Sequence, residues 1–200
     1  MKIVIVDYGV GNLLSLKYAL EKTGLSVEVG FSKQLLREAD AVALPGVGSF
    51  PSATIKLDTI RTELLDIINN GVPLLGICLG LQLFFSESEE GTGRGLGLFR
   101  GKNVYLPRSV KVPHMGWNTL RIVKQSELLD GIADGAYVYF VHSLYPMVVD
   151  KEILCAETEY GVKFASMVAR NNVYGMQFHP EKSGDIGLQI LRNFAKLVVR

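Results

Sequence analysis

Gly76-Ile77-Cys78-Leu79-Gly80 places a cysteine between two glycines, where an apolar run changes its periodicity. Val72 to Ile77 has the length and composition of a short buried strand, and the apolar residues from Leu79 to Glu89 recur every three to four positions and predict a helix. The cysteine therefore lies on a predicted strand-to-helix turn. Such a turn exposes a nucleophile above a sheet, and the helix start favours a thiolate. The alternative is a buried structural cysteine.

Apolar runs and helical patterns alternate through the first half of the chain. This alternation predicts an α/β fold of three αβα layers, with a central, mostly parallel sheet covered by helices on both faces. The predicted strands are Ile3 to Val6, Val27 to Gly30, Ala41 to Leu44 and Pro73 to Ile77, and the predicted helices are Asn12 to Lys22, Lys33 to Arg37 and Thr59 to Asn69.

The second half is richer in strand patterns, and we expect antiparallel strands there to extend the sheet. Strands are predicted at Asn103 to Leu106, Thr119 to Val123, Ala136 to Val141, Ile153 to Ala156, Lys163 to Ala169 and Asn172 to Phe178. An amphipathic helix from Ile186 to Val199 follows, and Glu87 to Gly97 is predicted to be an exposed loop. No linker or repeat divides the chain, so we expect one domain over residues 1–200.

The composition argues for a small-molecule or protein partner. The 21 basic and 20 acidic residues are interspersed, so neither a nucleic-acid groove nor a basic membrane patch is indicated. The first apolar run is too short for a signal peptide, and no run is long enough to span a bilayer. The second cysteine, Cys155, lies in a strand pattern and is expected in the core, which favours a reducing, cytoplasmic location without disulfides.

A cysteine nucleophile needs a base, and His179 has the most informative context of the three histidines, which also include His114 and His142. Pro180 disfavours the helical region for the residue before it, so His179 is expected to be extended. Residues two apart in an extended segment face the same way, so Glu181 can orient the imidazole and stabilise its charged form. Cysteine, histidine and carboxylate together predict a catalytic triad, although the His-Pro-Glu motif alone could be a surface turn.

Charge that develops on a carbonyl oxygen needs hydrogen-bond donors. The backbone N–H of Leu79 follows the nucleophile and is the first candidate. Leu44-Pro45-Gly46-Val47-Gly48-Ser49 follows a predicted strand, and its two glycines permit unusual backbone angles, so the second donor is expected there, at Val47. Taken alone, this segment could be a simple turn.

These motifs together resemble those of the class I glutamine amidotransferases. Gly76 to Gln82 is similar to the family's nucleophile motif, Pro45 to Gly48 to its oxyanion motif and Phe178 to Glu181 to its base motif. Within that family, the chain resembles the glutaminase subunits of imidazole glycerol phosphate synthases. That resemblance covers the whole chain and rests on Asp7 to Asn12, Pro113 to Asn118, Tyr139 to Ser143 and His179 to Ser183.

The resemblance implies that Cys78 attacks the side-chain amide of glutamine, that His179 shuttles protons and that Glu181 orients the histidine. It implies a glutamine pocket, and neither a metal nor a cofactor. The residues that match the family's pocket are Gly46, Gln82, Glu90, His142 and Ser143. Without the resemblance, Gln82 would be interpreted as an exposed helical residue and His142 as a strand-end residue with a satisfied ring.

The resemblance also implies a partner, a (β/α)₈-barrel cyclase that receives the ammonia in a heterodimer. The residues that match positions facing it are Asn12, Met115, Trp117, Asn118 and Lys182. Trp117 follows Gly116 in a predicted loop, and its flat amphipathic ring suits an interface, although it could also be a core aromatic.

Three other functions remain open at this point. The chain could be a glutaminase serving anthranilate, aminodeoxychorismate or pyridoxal phosphate synthesis, although the Asp7 to Asn12 and His114 to Asn118 motifs argue against these. It could be a thiol hydrolase that acts alone on amides. It could also be a regulatory subunit without activity, which the presence of Cys78, His179 and Glu181 disfavours.

Overall fold

The computed structural model describes residues 1–9 and 13–199, and its strands confirm the predicted α/β class. In chain order they are β1 (Lys2–Val6), β2 (Ser26–Gly30), β3 (Ala41–Leu44), β4 (Leu74–Ile77), β5 (Glu87–Ser88), β6 (Gly101–Tyr105), β7 (His114–Thr119), β8 (Arg121–Ile122), β9 (Tyr137–His142), β10 (Leu144–Val148), β11 (Leu154–Glu159), β12 (Lys163–Arg170) and β13 (Val173–Met176).

The described α-helices lie mainly between the strands of the first half and at the end of the chain. They are α1 (Leu13–Glu21), α2 (Lys33–Arg37), α3 (Phe50–Asp58), α4 (Arg61–Asn69), α5 (Leu79–Gln82) and α6 (Gly184–Val198). Among residues 1–9 and 13–199, no helix is both long and apolar enough to cross a bilayer.

The large sheet has the predicted mixture of strand directions. Its described strands lie in the order β2-β1-β3-β4-β13-β12-β11-β8. The first five of these run parallel, and β12, β11 and β8 extend the sheet in antiparallel pairs. Ile77 of β4 is paired with Met176 of β13, so these two neighbouring parallel strands end at the same edge of the sheet.

Apolar side chains cover both faces of the sheet and produce the three layers. Ile3 and Ile5 of β1 belong to the cluster that includes side chains of α1 and α6, whereas Val4 and Val6 belong to the cluster that includes side chains of α3 and α4. Successive strand residues point to opposite faces, so β1 is apolar throughout because both its faces are buried.

The helix predicted from Leu79 to Glu89 was wrong in length, because α5 ends at Gln82. Leu83, Phe84 and Phe85 are all fully buried, so their apolar side chains are surrounded rather than confined to one helical face. Backbone N–H groups of a later loop bond to the carbonyl groups of Leu83 and Phe84, an arrangement that replaces further helical hydrogen bonds. Periodicity alone cannot distinguish such a segment from an amphipathic helix.

Two further predictions about the second half were wrong in part, and one helix of the first half was not predicted. Trp117 lies within β7 rather than in a loop, and among the described strands β7 pairs with β9 alone, in a separate ribbon. The strand predicted at Asn103 to Leu106 is observed as β6, but it forms a small sheet with β5 and β10, which were not predicted as strands, instead of extending the large sheet. Helix α3 was not predicted, although Ser49 caps its N-terminus and Pro51 occupies its first turn, as helix starts favour.

Candidate active site

Cys78 occupies the predicted turn between β4 and α5, and its backbone is strained. Its φ of 52° and ψ of −104° lie in a region that non-glycine residues rarely adopt, at a cost of about 1–3 kcal/mol. The thiol is 6% exposed, and its sulphur lies 3.6 Å from the carbonyl oxygen of Val141. Leu79 is the first residue of α5, so its backbone N–H has no acceptor within the helix.

Two glycines allow the backbone to pack tightly around this turn. A Cβ on Gly80 would lie 2.0 Å from the carbonyl oxygen of Leu44. A Cβ on Gly46 would lie 2.0 Å from the carbonyl oxygen of Ile77 and 2.7 Å from Cβ of Cys78. The Pro45-to-Gly48 segment therefore lies directly against the nucleophile, and the φ of 133° at Gly48 is one that only glycine adopts without strain.

His179 follows β13 and is extended as predicted, with φ of −99° and ψ of 99°. Its Nδ1 lies 2.8 Å from Oε1 of Glu181, and both side chains are buried. Its backbone N–H donates to the carbonyl oxygen of Tyr139, at 2.9 Å, and its carbonyl accepts from the hydroxyl of Ser183, at 2.6 Å. The ring is thus fixed through its backbone as well as through its carboxylate partner.

The charged form of His179 is favoured despite burial. Burial alone lowers the pKa of the imidazole, but the Cys78 sulphur and the Glu181 carboxylate outweigh it and raise that pKa from 6.5 to about 10. No hydrogen bond of standard geometry joins the His179 Nε2 to a partner among the described residues. The arrangement can therefore hold an imidazolium beside a nucleophilic sulphur, with one ring nitrogen left for a reacting group.

A cleft of about 290 Å³ opens onto Cys78. The structure brings together there every residue that the resemblance places in a glutamine pocket, along with the two oxyanion candidates. These cleft-lining residues are Gly46, Val47, Leu79, Gln82, Glu90, His142 and Ser143. The cleft volume lies near the lower end of the range for small-molecule sites.

Gln82 and Glu90 make contacts that organise this cleft. Gln82 is only 5% exposed, unlike the exposed helical residue that its pattern alone suggested, and its Nε2 donates to the carbonyl oxygen of Leu144 at 3.0 Å. Glu90 Oε2 accepts from the backbone N–H of Phe50, the first residue of α3, at 2.6 Å. That bond attaches the Glu90 loop to α3, which follows the Pro45-to-Gly48 segment.

His142 has a satisfied ring and is paired with His114. His142 Nδ1 donates to the carbonyl oxygen of Leu144 at 2.8 Å, so its Nε2 must accept from His114 Nδ1, 3.0 Å away. Burial lowers the pKa of His142 to about 3 and that of His114 to about 4, so both are neutral at physiological pH. Neither ring is available as the proton-transferring base.

Three of the predicted partner-facing residues lie on one exposed face. Met115 is 63% exposed and Trp117 55% exposed. Trp117 contacts the Tyr139 ring edge to face, with 5.8 Å between centroids, and Nζ of the exposed Lys182 lies 6.0 Å from the same ring. Asn118 is half-buried and its amide donates to the carbonyl oxygen of Glu159, whereas Asn12 lies outside the described residues.

Three residues near the site were not assigned a role from the sequence: Tyr8, His114 and Gln177. The fully buried hydroxyl of Tyr8 donates to the carbonyl oxygen of Pro45, and burial together with the Cys78 charge raises the pKa of its phenol well above 10.0. The position of Tyr8, just after β1, was a usable signal because parallel strands end at one edge.

Within the described ranges, no cluster of three or more His, Cys, Asp or Glu side chains could hold a metal ion.

Known proteins and a known protein family resemble this chain over nearly its whole length. A family model described as glutamine amidotransferase class-I matches residues 4–198. The imidazole glycerol phosphate synthase subunit HisH of Archaeoglobus fulgidus is 52% identical over 200 residues, covering 99% of this chain and 100% of the relative. The protein of that name from Methanothermobacter thermautotrophicus is 48% identical, with 98% of each chain covered.

Solved structures of more distant proteins share the fold. PurLQS from Thermotoga maritima is similar with a TM-score of 0.80 at 20% identity, covering 98% of this chain and 97% of that one. A glutamine amidotransferase from the same organism gives a TM-score of 0.76 at 14% identity, covering 100% and 99%. At these identities the likeness supports the architecture alone.

Proposed function

Since this chain belongs to the class-I glutamine amidotransferases and, within them, to the HisH subunits of imidazole glycerol phosphate synthase, we propose that it hydrolyses glutamine for a cyclase partner. Cys78, His179 and Glu181 are the catalytic residues of this proposal. The observation that carries it is the strained Cys78 turn beside a buried His179–Glu181 pair whose ring and carboxylate are 2.8 Å apart. The chain acts as one catalytic domain, in the cytoplasm, where its two free thiols are stable.

The proposed reaction has two steps. The Cys78 sulphur attacks the side-chain carbonyl carbon of glutamine, and the backbone N–H groups of Leu79 and Val47 stabilise the oxyanion. His179 gives a proton to the leaving nitrogen, so ammonia departs and a thioester remains. Water then attacks the thioester, His179 accepts its proton, and glutamate is released with the thiol restored. The acid–base step contributes about 10²- to 10⁴-fold, and each oxyanion donor about 3 kcal/mol.

A small cavity supports a route for ammonia toward the partner. Gly46 and Val47 line both the cleft and this second cavity of about 20 Å³, whose walls also include His179 and Lys182. A cavity of this size holds about one water-sized molecule, which is also the size of ammonia. Lys182 belongs to the exposed face with Trp117, so we propose that a (β/α)₈-barrel cyclase binds that face in a heterodimer and receives the ammonia.

The proposal is tested by adding the purified cyclase to this subunit and measuring glutamate release. We expect weak activity alone and stimulation by the cyclase, because the Pro45-to-Gly48 segment must be correctly oriented and lies beside the partner face. Full turnover without the cyclase would contradict the partner's role.

A pair of variants tests whether glutamine hydrolysis and ammonia-dependent synthesis use separate sites. Cys78→Ala should abolish glutamine-dependent synthesis by the complex and leave ammonia-dependent synthesis nearly intact. Cys155→Ala is the matched control, since Cys155 is also buried but lies outside the cleft, and it should retain both activities. Loss of both activities in a well-folded Cys78→Ala complex would contradict the proposal that Cys78 serves glutamine hydrolysis alone.

A further inference from the structure

The side chain of Gln177 contacts the nucleophile directly, and no step described above uses it. Gln177 is fully buried, and its Nε2 lies 3.4 Å from Sγ of Cys78. Its backbone N–H donates to the carbonyl oxygen of Ser166 in β12 at 2.9 Å, which fixes the residue at the end of β13. The carbonyl oxygen of the neighbouring Met176 accepts from the backbone N–H of Cys78 at 2.7 Å, so the backbones that carry the amide and the sulphur are bonded to each other.

The direction of the Gln177 amide follows from its neighbours. The carbonyl oxygen of Leu144 can only accept, so the amide nitrogen of Gln82 must face it. The same nitrogen lies 3.3 Å from Oε1 of Gln177. The Gln177 oxygen is therefore directed at Gln82 and its nitrogen at the sulphur. The reversed amide would place N–H against N–H at one end and oxygen against sulphur at the other.

Two groups make hydrogen bonds of standard geometry with the sulphur among the described residues, the Val141 carbonyl and the Gln177 amide, and they favour opposite protonation states of the thiol. The carbonyl oxygen of Val141, at 3.6 Å, can accept from the neutral thiol but is unfavourable beside a thiolate. The amide nitrogen of Gln177 can donate to a thiolate, and a hydrogen bond to a charged acceptor is the stronger of the two kinds. The imidazolium of His179 also interacts with the sulphur, but its Nε2 makes no hydrogen bond of standard geometry among the described residues, whereas the Gln177 amide does.

We propose that Gln177 is a further catalytic residue, whose amide donates a hydrogen bond that stabilises the Cys78 thiolate, and that Gln82 is a positioning residue that orients this amide. The inference rests on the proposed function in one respect, that Cys78 is the nucleophile. Gln177 does not line the cleft, whereas Gln82 does. Loss of the Gln177 donor should therefore lower kcat with little change in KM, and loss of Gln82 should alter both.

The test measures alkylation of Cys78 by iodoacetamide at neutral pH, followed by intact mass, because that reaction needs neither glutamine nor a partner. Gln177→Met keeps the side-chain length and removes the donor, and we expect alkylation to slow about 10- to 100-fold. Cys155 does not interfere, since burial raises the pKa of its thiol. Ser166→Ala is the matched control, a fully buried polar residue on the adjacent strand whose side chain makes no hydrogen bond among the described residues.

The alkylation rates of the Gln177 variants support or overturn the inference. Alkylation of Gln177→Met within twofold of the unchanged protein overturns the inference, even if glutaminase activity falls. If Gln177→Met does not fold, Gln177→Leu replaces it; its side chain also lacks a donor, so alkylation should slow to a similar extent, and an unchanged rate overturns the inference. A protein that shows slowed alkylation in these variants but no cyclase-stimulated glutaminase activity refutes the proposed function and leaves the inference standing.

Discussion

The buried His114–His142 pair should make the protein's stability sensitive to mild acid, and substitution of either histidine should remove part of that sensitivity. His142 donates through Nδ1 and accepts through Nε2, so a proton added to Nε2 would face the N–H of His114. Burial, which keeps the pKa of His142 at about 3 and that of His114 at about 4, opposes the charge as well. The folded protein thus keeps both rings neutral down to about pH 5.

The magnitude follows from proton linkage. In the unfolded chain each histidine titrates with a pKa near 6.5, so between about pH 7.5 and 5.5 its protonated fraction rises from roughly one-tenth to nine-tenths. The folded state binds almost no proton at either ring over this interval. Because the unfolded state gains protons that the folded state does not, each histidine lowers the free energy of unfolding by about 1.4 kcal/mol as the pH falls.

The assay compares urea denaturation, followed by far-ultraviolet circular dichroism, at the two pH values for the unchanged protein and for His142→Gln and His114→Gln. The contributions of all other titrating groups to the pH dependence of the free energy of unfolding cancel when a variant is compared with the unchanged protein. The loss of stability between the two pH values should be about 1.4 kcal/mol smaller in each variant. If a variant shows the same pH response as the unchanged protein, the histidine it lacks was already charged in the folded state and the reasoning fails.

Three further perturbations test the remaining geometry. Gly46→Ala should lower cyclase-stimulated glutamate release about 100-fold, because its Cβ would clash with the Ile77 carbonyl and displace the turn; near-normal turnover would exclude that displacement. Tyr8→Phe should lower the free energy of unfolding in urea by about 1–3 kcal/mol, since the Pro45 carbonyl loses its buried donor, and an unchanged midpoint would contradict this. Glu181→Gln should lower the pKa of His179 in an NMR titration. Because folding raises that pKa, protonated His179 adds to the free energy of unfolding; the contribution is complete below about pH 6.5 and is lost toward pH 10, and it should be smaller in the variant.

The parts of the site that depend on local backbone could be predicted from the sequence. Glycines on both sides of Cys78 and a proline after His179 restrict φ and ψ within a few residues, and the structure has the expected turn and the expected extended histidine. The β3 strand was predicted with its observed ends, Ala41–Leu44, because a fully apolar run between polar turns has few alternatives.

The parts that depend on distant contacts could not be predicted. The burial of Gln82 requires Leu144 and Gln177, which are 62 and 95 residues away along the chain. The hydrogen bond that the His142 ring accepts comes from His114, 28 residues earlier. Likewise, α5 ends early because loops from elsewhere bury the residues after it on every side. A pattern of apolar and polar residues indicates which faces are buried, but not which distant residues pack against them, so a buried polar side chain such as that of Gln82 is missed.

The position of β13 in the large sheet has a consequence for how the enzyme is made. This strand is the last of the described strands along the chain, yet it lies between β4 and β12 in the middle of the sheet. A ribosome therefore completes the Cys78 turn long before it supplies β13 and the residue that follows it, Gln177, which is 99 residues after Cys78. We expect nascent chains that stop short of β13 to leave β4 and β12 without the strand that joins them, and to have no hydrolytic activity. The active site is therefore complete only when synthesis is nearly finished.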